Sequence, residues 1–495
     1  NLVPGNVRDP DRSDGRPFVS TRQTHPGTYG RQPAGPLTGR VIYCSAGHGW
    51  TNDNTSTTMW YTQRPETHGV VEDFGNLDQM NLYADICFRA GATIVPLRPI
   101  GFQHVERVID NDSGQATFYG RWADSQSTAS FGYAGARVPY RYTRASVEET
   151  AVARFRPMIP LTDEYPVYTW ARTGADRVNQ TYRVVHAGGV TEVDIDHRRV
   201  GNGWVYLGSY VFRAGNAGYV EIIDKVRDPQ AAAAQGVVIA DAIRFGNGMG
   251  DVNRGGGISE KPREEEASRY WVERSLPAGA APIFNAFPDR GDQSNNVGAS
   301  PRFAAFMNRE QDGNFFDRLY MSFHTNAVGG RGVMGLYNSH AQMRPDDQIE
   351  LAKLTADELN KEMTSAGLTL PKPWTVRRML TQAHINFGEI RRDHINNEMS
   401  ATILEVAFHD NPDDAALLRQ LSVRRAAALS DAARALARDP VRIRAAQAGV
   451  LDRFVRIDGD AVLRRGLDDL LVVAHHRLAL VPGVAQPPVR AEHLG

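Results

Sequence analysis

Hydrophobic positions along the chain switch between two periods, and the switches divide it into segments. Val41 to Cys44 is a short continuous apolar run, read as a buried strand. Leu77, Met80, Ala84 and Cys87 then recur at helical spacing, Gly91 supplies a stop, and Ala92 to Leu97 is a second apolar run ending near Arg98. Strand, helix and strand in this order predict an α/β opening with a parallel sheet covered by helices. From about His104 to Gly246 the helical period vanishes. Tyr165 to Trp170, Thr181 to Val185, Trp204 to Leu207, Tyr210 to Phe212 and Tyr219 to Ile223 read as short strands between Gly, Asn and Asp turns. That spacing predicts an all-β sandwich, and because α/β character resumes afterwards the sandwich is expected to be an insertion.

Residues 247–300 read as a partly irregular return, with Gly255 to Gly257 a turn. Helical spacing reappears over Phe303 to Phe315, then the strand Leu319 to Phe323. Ile349, Ala352, Ala356, Leu359 and Met363 share one helix face, and Gly367 lies beyond its end. After the strand Thr402 to Phe408, Asn411-Pro412-Asp413-Asp414 suits a helix start: Asn caps, Pro fits the first position, and the acids favour the positive end of the dipole. The expected fold class is therefore α/β, a mostly parallel twisted sheet flanked by helices and interrupted by an inserted β-sandwich. The expected segments are an extended arm at 1–38, a catalytic domain at 39–103 and 247–438, the insertion at 104–246, and a helical extension at 439–495.

At 495 residues more than one domain is expected. A formal net charge of −1 gives no global basic field for nucleic acid or an anionic membrane. No apolar run approaches the ~20 residues of a membrane span; the best, Leu470 to Val481, is broken by His475, His476 and Arg477. The chain opens on Asn1, compatible with a removed leader and a secreted or periplasmic location. Cys44 and Cys87 are expected to be buried free thiols rather than a disulfide.

The candidate chemistry sits at strand ends. Met321-Ser322-Phe323-His324-Thr325-Asn326-Ala327 runs from an apolar strand into a histidine, and so does Ser45-Ala46-Gly47-His48-Gly49. Glu72 stands ahead of the first helix, and Glu405 lies within the strand Thr402 to Phe408. A zinc hydrolase needs three protein ligands and an open position for water. His48, Glu72 and His324 would supply the ligands, and Glu405 would be the acid/base that moves the water proton to the departing nitrogen. No local motif of the His-Glu-x-x-His kind links them. Their convergence depends on strand ends of one sheet meeting at a crevice; otherwise they are unrelated capping and core polar residues.

These residues resemble the zinc-dependent N-acetylmuramoyl-L-alanine amidases of the amidase type 3 family. The matching blocks are Gly47-His48-Gly49, then Glu72, Asn76, Gly91 and Arg98, then Ser322, His324, Asn326 and Ala327, and last Glu405, Phe408 and Asn411 with Ala407 in a Gly position. They fall in the family's order over about 39–100 and 300–438. The resemblance implies zinc as cofactor, His48, Glu72 and His324 as its ligands, and Glu405 as catalytic acid/base. It also implies peptidoglycan as substrate, cut at the amide between the N-acetylmuramic acid lactyl group and L-alanine of the stem peptide. Ser45-Ala46 replaces the family's Asp-Pro, and Trp50 replaces a Gly; an Asp there could orient a metal ligand, so its loss bears on metal affinity.

Gly120-Arg121-Trp122, Phe155-Arg156-Pro157, Tyr165-Pro166-Val167-Tyr168, Trp204-Val205-Tyr206-Leu207-Gly208 and Ala240-Asp241-Ala242-Ile243-Arg244-Phe245 resemble the golvesin C-terminal-like domain. That resemblance spans about 104–246 and implies binding to a surface polysaccharide. Other residues carry two readings each. Asn326 is a candidate substrate contact, although it and Asn411 also suit backbone turns. Arg391 and Arg392, after Glu389, are a carboxylate site or a solvated loop. His384, His394 and His409 are extra ligands or rim residues. Trp122, Trp170 and Trp204 are sugar platforms or core, and Asp194 and Asp196 a calcium site or a solvated strand. The rival functions are a catalytically weak wall or polysaccharide binder and a zinc carboxypeptidase-type amidohydrolase.

Overall fold

A computed structural model describes residues 31–428, apart from 53–59, 133–137, 255–256, 310–316, 339–344, 366–375, 378–386 and the single positions 128, 278 and 397. The C-terminal extension, most of the N-terminal arm and His384 therefore lie outside the described residues.

The largest sheet contains, in chain order, β1 (Val41–Ala46), β2 (Thr93–Pro96), β3 (Arg107–Ile109), β4 (Asp163–Ala171), β5 (Gly203–Phe212), β6 (Ile243–Phe245), β7 (Arg318–Asn326), β8 (Val333–Leu336), β9 (Val376–Arg377) and β10 (Ser400–Phe408). Across the sheet they lie in the order β9-β8-β10-β7-β1-β2-β5-β4-β6-β3. Strands β10, β7, β1 and β2 run parallel. β1 is buried throughout, as expected where helices and loops cover both faces of a sheet. Between β1 and β2 lies α1 (Glu72–Arg89). It ends where Gly91 takes φ 98°, a left-handed conformation that costs glycine little, with Ala92 N–H donating to the Cys87 carbonyl.

The expectation of an α/β domain on a mostly parallel sheet is corrected. The fold is β-rich, and more neighbouring pairs in the main sheet run antiparallel than parallel. The reason is that strands of the insertion join the same sheet. β5 adds antiparallel to β2 through the pair Tyr206 and Ile94, and β4, β6 and β3 continue outward by antiparallel pairing. A six-stranded sheet covers this outer half, with order Arg31–Gln32, Gly189–Asp196, Asn179–His186, Tyr219–Ile223, Val152–Phe155 and Ala116–Tyr119. Phe155, Tyr182, Val184, Val220 and Ile222 of that sheet are buried with Trp170 and Trp204 of the main sheet. The Thr169 hydroxyl donates to the Tyr182 hydroxyl across the gap. The sandwich thus shares one of its layers with the sheet that carries the candidate chemistry.

Helices α2 (Asp292–Met307), α3 (Pro345–Ser365) and α4 (Pro412–Leu418) complete what positions the site. α2 begins well before the helical pattern at Phe303 because its first turns are polar. Asn295 faces inward and holds the Phe287 backbone through its amide, so hydrogen bonding replaces apolar spacing there. α4 starts as its sequence predicts, with the Asn411 side chain accepting from Asp413 and Asp414 N–H. Of the arm, Arg31–Gln32 forms an edge strand parallel to Glu192–Val193. Cys44 and Cys87 are buried and are not joined in a disulfide. Among the described residues no helix is long and apolar enough to cross a membrane.

Candidate metal centre

His48 sits on the turn that leaves β1. His48 and Gly49 both take positive φ, 66° and 111°, so the chain reverses sharply there. Gly47 is required by close approach: a Cβ at that position would lie 2.1 Å from Cε1 of His324. Two buried residues hold the turn. Asp73 accepts from Gly49 N–H at 2.7 Å and from Gln63 and Arg64 N–H at 2.9 and 3.0 Å. Arg98 donates to the carbonyls of Ala46, Gly47, Asp73 and Glu264. Burial without full charge compensation pushes Asp73 up to about 6 and Arg98 down to about 10.

Glu72 is the first residue of α1, which aims its side chain back across the sheet ends. Its Oε1 lies 3.2 Å from His48 Nε2, 3.1 Å from His324 Nδ1 and 3.3 Å from Thr325 N–H, which donates to it. The two imidazoles meet edge to face, with centroids 4.9 Å apart. One ligating atom from each of His48, Glu72 and His324 lies within 4.8 Å of the others. Tetrahedral bonds of roughly 2.0–2.1 Å set neighbouring donors about 3.4 Å apart, close to the Glu72–histidine separations of 3.1 and 3.2 Å. Two imidazoles and one carboxylate are also a donor set that suits zinc. The residues fit such an ion.

Register brings in the fourth residue. β7 and β10 pair so that His324 faces Glu405 directly. Oε2 of Glu405 is buried with no hydrogen-bond partner among the described residues. Burial pushes its carboxyl up to about 8; His324 opposes this and Glu72 and Glu389 add to it. Burial also works against charge on the other members, but their mutual attraction wins. His48 and His324 hold Glu72 well below the usual carboxylate range, and Glu389 and Glu72 hold His324 well above the usual histidine value.

Glu389 is the site residue that sequence reasoning did not nominate. It lies in the single turn Gly388–Ile390, with Oε2 3.0 Å from His324 Nε2 and accepting from the Ser322 hydroxyl at 2.6 Å. Nothing in its spacing marks it, because its neighbours in the chain contribute nothing to the cluster. The available signal was an acid two residues ahead of the pair Arg391-Arg392.

Several other candidates are engaged elsewhere. Asn326 Oδ1 accepts from Ala327 N–H, a turn contact. His409 pairs with the Thr325 hydroxyl and stands 4.0 Å from Glu72 Oε2, at the edge of the cluster. His394 contacts the Gly388 carbonyl and Arg302, behind the Glu389 turn. Arg391 pairs with Asp393, and Arg392 is exposed. Asp194 is taken up by Thr181, Arg31 and Arg227, and Asp196 by Arg198. Trp170 and Trp204 are core, whereas Trp122 is half-buried against Phe118.

Comparison with known proteins supports the golvesin resemblance directly: the family described as "Golvesin C-terminal domain" matches residues 107–247. A curated xanthan lyase from Bacillus sp. (strain GL1) is 32% identical over 140 residues, which are 28% of this chain and 14% of that enzyme. The chain therefore spans only a small part of that relative. Among solved structures, Paenibacillus xanthan lyase is similar at 25% identity over 30% of this chain and 13% of that chain, with a TM-score of 0.25. An N-acetylmuramyl-L-alanine amidase from Mycobacterium smegmatis is similar at 20% identity over 24% of this chain and 52% of its own, with a TM-score of 0.19. An amidase from Clostridioides difficile, solved in complex with a lipoprotein, is similar at 16% identity over 28% and 60%, with a TM-score of 0.21.

Proposed function

We propose that the chain is a secreted or periplasmic, zinc-dependent peptidoglycan amidase that hydrolyses the amide between the N-acetylmuramic acid lactyl group and L-alanine of the stem peptide. The observation that carries this reading is the meeting of His48, Glu72 and His324 within 4.8 Å, beside a Glu405 carboxylate with an unpartnered oxygen. The order of the sequence blocks around these residues supports the amidase class. The likeness of the golvesin segment to part of a xanthan lyase supports a role on polysaccharide for that segment.

His48, Glu72 and His324 would hold the ion and leave one position open. Zinc there supplies Lewis acidity, polarising the scissile carbonyl and easing ionisation of the attacking water. Glu405 accepts the water proton at Oε2 and passes it to the leaving nitrogen of L-alanine, so that the amine departs neutral. Glu389 keeps its carboxylate on His324 Nε2, which fixes the ring orientation and leaves Nδ1 for the ligand side. Asp73 and Arg98 keep the His48 turn in place.

The test is mass spectrometry of purified peptidoglycan after digestion with zinc-loaded wild type and Glu405→Ala. Stem peptides with a free L-alanine amino terminus, released by wild type alone, are expected. Cleavage within the peptides would point to a carboxypeptidase. Two inactive proteins that both retain zinc and bind the wall would leave a binding protein in place of the enzyme.

A further inference from the structure

The outward face of the six-stranded sheet carries two arginine-lined clefts, and they differ in how their charge is balanced. The first holds Arg31, Arg183 and Arg227. Every one of these guanidiniums is paired with an acid: Arg31 with Asp194, Arg183 with Glu149 and Glu192, and Arg227 with Glu192 and Asp194. It is neutralised from within and offers little to an anion.

The second cleft, of about 530 Å³, lies over Ala116–Tyr119 and Val152–Phe155 and has no acid among its lining residues. Strand alternation puts Gln115, Thr117 and Tyr119 on one face, all exposed, and antiparallel register sets Arg154 beside Thr117. Arg154 stacks over Tyr119 at 5.6 Å and Tyr219 at 4.6 Å, and Arg156 over Tyr219 at 4.9 Å. The result is a ladder of alternating rings and guanidiniums. Arg154 spends Nε and one terminal nitrogen on Glu221 at 2.9 and 2.6 Å. The Arg156 guanidinium has no acid partner among the described residues. Its contact with the Tyr219 ring, 4.9 Å from the centroid, does not neutralise it.

We propose that this cleft binds an acidic saccharide, with Arg156 taking a sugar carboxylate. A planar guanidinium matches a carboxylate with two parallel hydrogen bonds. Tyr119, 53% exposed, presents an aromatic body to the apolar face of a pyranose and a hydroxyl to its rim. Gln115, Thr117 and Asn216 are neutral donors and acceptors that suit ring hydroxyls. The cleft volume is in the range of a site for a short glycan segment. This inference stands apart from the metal centre, and none of its residues belongs to that cluster.

The experiment is calorimetric titration of the full chain with polygalacturonate oligomers and with the same oligomers after their carboxyl groups are reduced to alcohols. Wild type is expected to bind the uronate and to lose roughly tenfold or more in affinity with Arg156→Gln, the worth of one charge-assisted pair. Tyr119→Ala, at an exposed position that folding tolerates, is expected to weaken binding as well. Lys225→Gln, in the other cleft, is expected to change nothing. Equal binding of the reduced oligomer, wild-type affinity in Arg156→Gln, or no binding of the uronate by wild type would each overturn the proposal.

Discussion

Glu389 Oε2 lies 3.0 Å from His324 Nε2, while the other ring nitrogen, Nδ1, faces Glu72 at 3.1 Å. One imidazole is thus held between a carboxylate on the proposed ligand side and one behind it. The chain has Ser45 where the resembling family has Asp, and the Ser45 hydroxyl donates to the Ser300 hydroxyl at 3.2 Å. The supporting carboxylate comes instead from a turn far along the chain. Removing its charge while keeping its shape, with Glu389→Gln, is expected to weaken zinc binding by roughly 10- to 100-fold. Competition against a chromophoric chelator measures this directly and does not depend on activity. An unchanged dissociation constant would show that Glu389 is only structural.

Gly47 is the contact on which the histidine pair depends. A methyl group there would stand 2.1, 2.4 and 2.6 Å from three atoms of the His324 ring. The ring must move, because β1 and β7 are locked in register on either side. Gly47→Ala is therefore expected to lower zinc content per chain well below wild type while the far-ultraviolet circular dichroism stays the same. Full zinc occupancy in a folded variant would show that the imidazole has room that the present packing denies it.

Much of the site was legible because the chemistry sits where apolar runs end. His48 and His324 each follow a strand, and pairing those strands in parallel brings the two histidines together without any local motif. Glu405 lies inside its strand instead, and the pairing of β7 with β10 sets it opposite His324. The sheet's full extent was not. Alternation and apolar runs report which face of a strand is buried, and they do not report which distant strand lies beside it. Nothing in Ile94 or Tyr206 signals that they pair, so the continuation of the sheet into the insertion was not legible. Glu389 escaped notice because its burial depends on Ser322 and His324 rather than on its neighbours in sequence.

That pairing has a consequence for dissection. Deleting 107–247 and closing the gap with a short linker removes β3 to β6 and leaves the edge of β2 open. It also uncovers apolar side chains, such as Phe88, that now pack on Tyr206. An open edge beside exposed apolar surface invites aggregation. The shortened protein is expected to be insoluble or to lack a cooperative thermal transition. A soluble product with a sharp melt and intact near-ultraviolet dichroism would mean that the parallel strip folds by itself.

Asp241 gives a pH signature far from the metal centre. It is 2% exposed, and among the described residues it accepts only from Phe131 N–H, at 3.2 and 3.3 Å from its two oxygens. Burial, with Asp110 adding and Phe131 and Arg172 opposing, holds its carboxyl well above the ordinary value of 3.8. The unfolded chain therefore ionises this group first. Its contribution to stability is complete below that ordinary value and fades as pH rises through the folded value. Asp241→Asn keeps the shape and the acceptor but cannot ionise. Its melting temperature is expected to match wild type near about pH 4 and to exceed it increasingly towards about pH 8, with a gap of about 2 °C for each kcal/mol recovered. A constant difference across that range would mean that Asp241 ionises equally easily in both states.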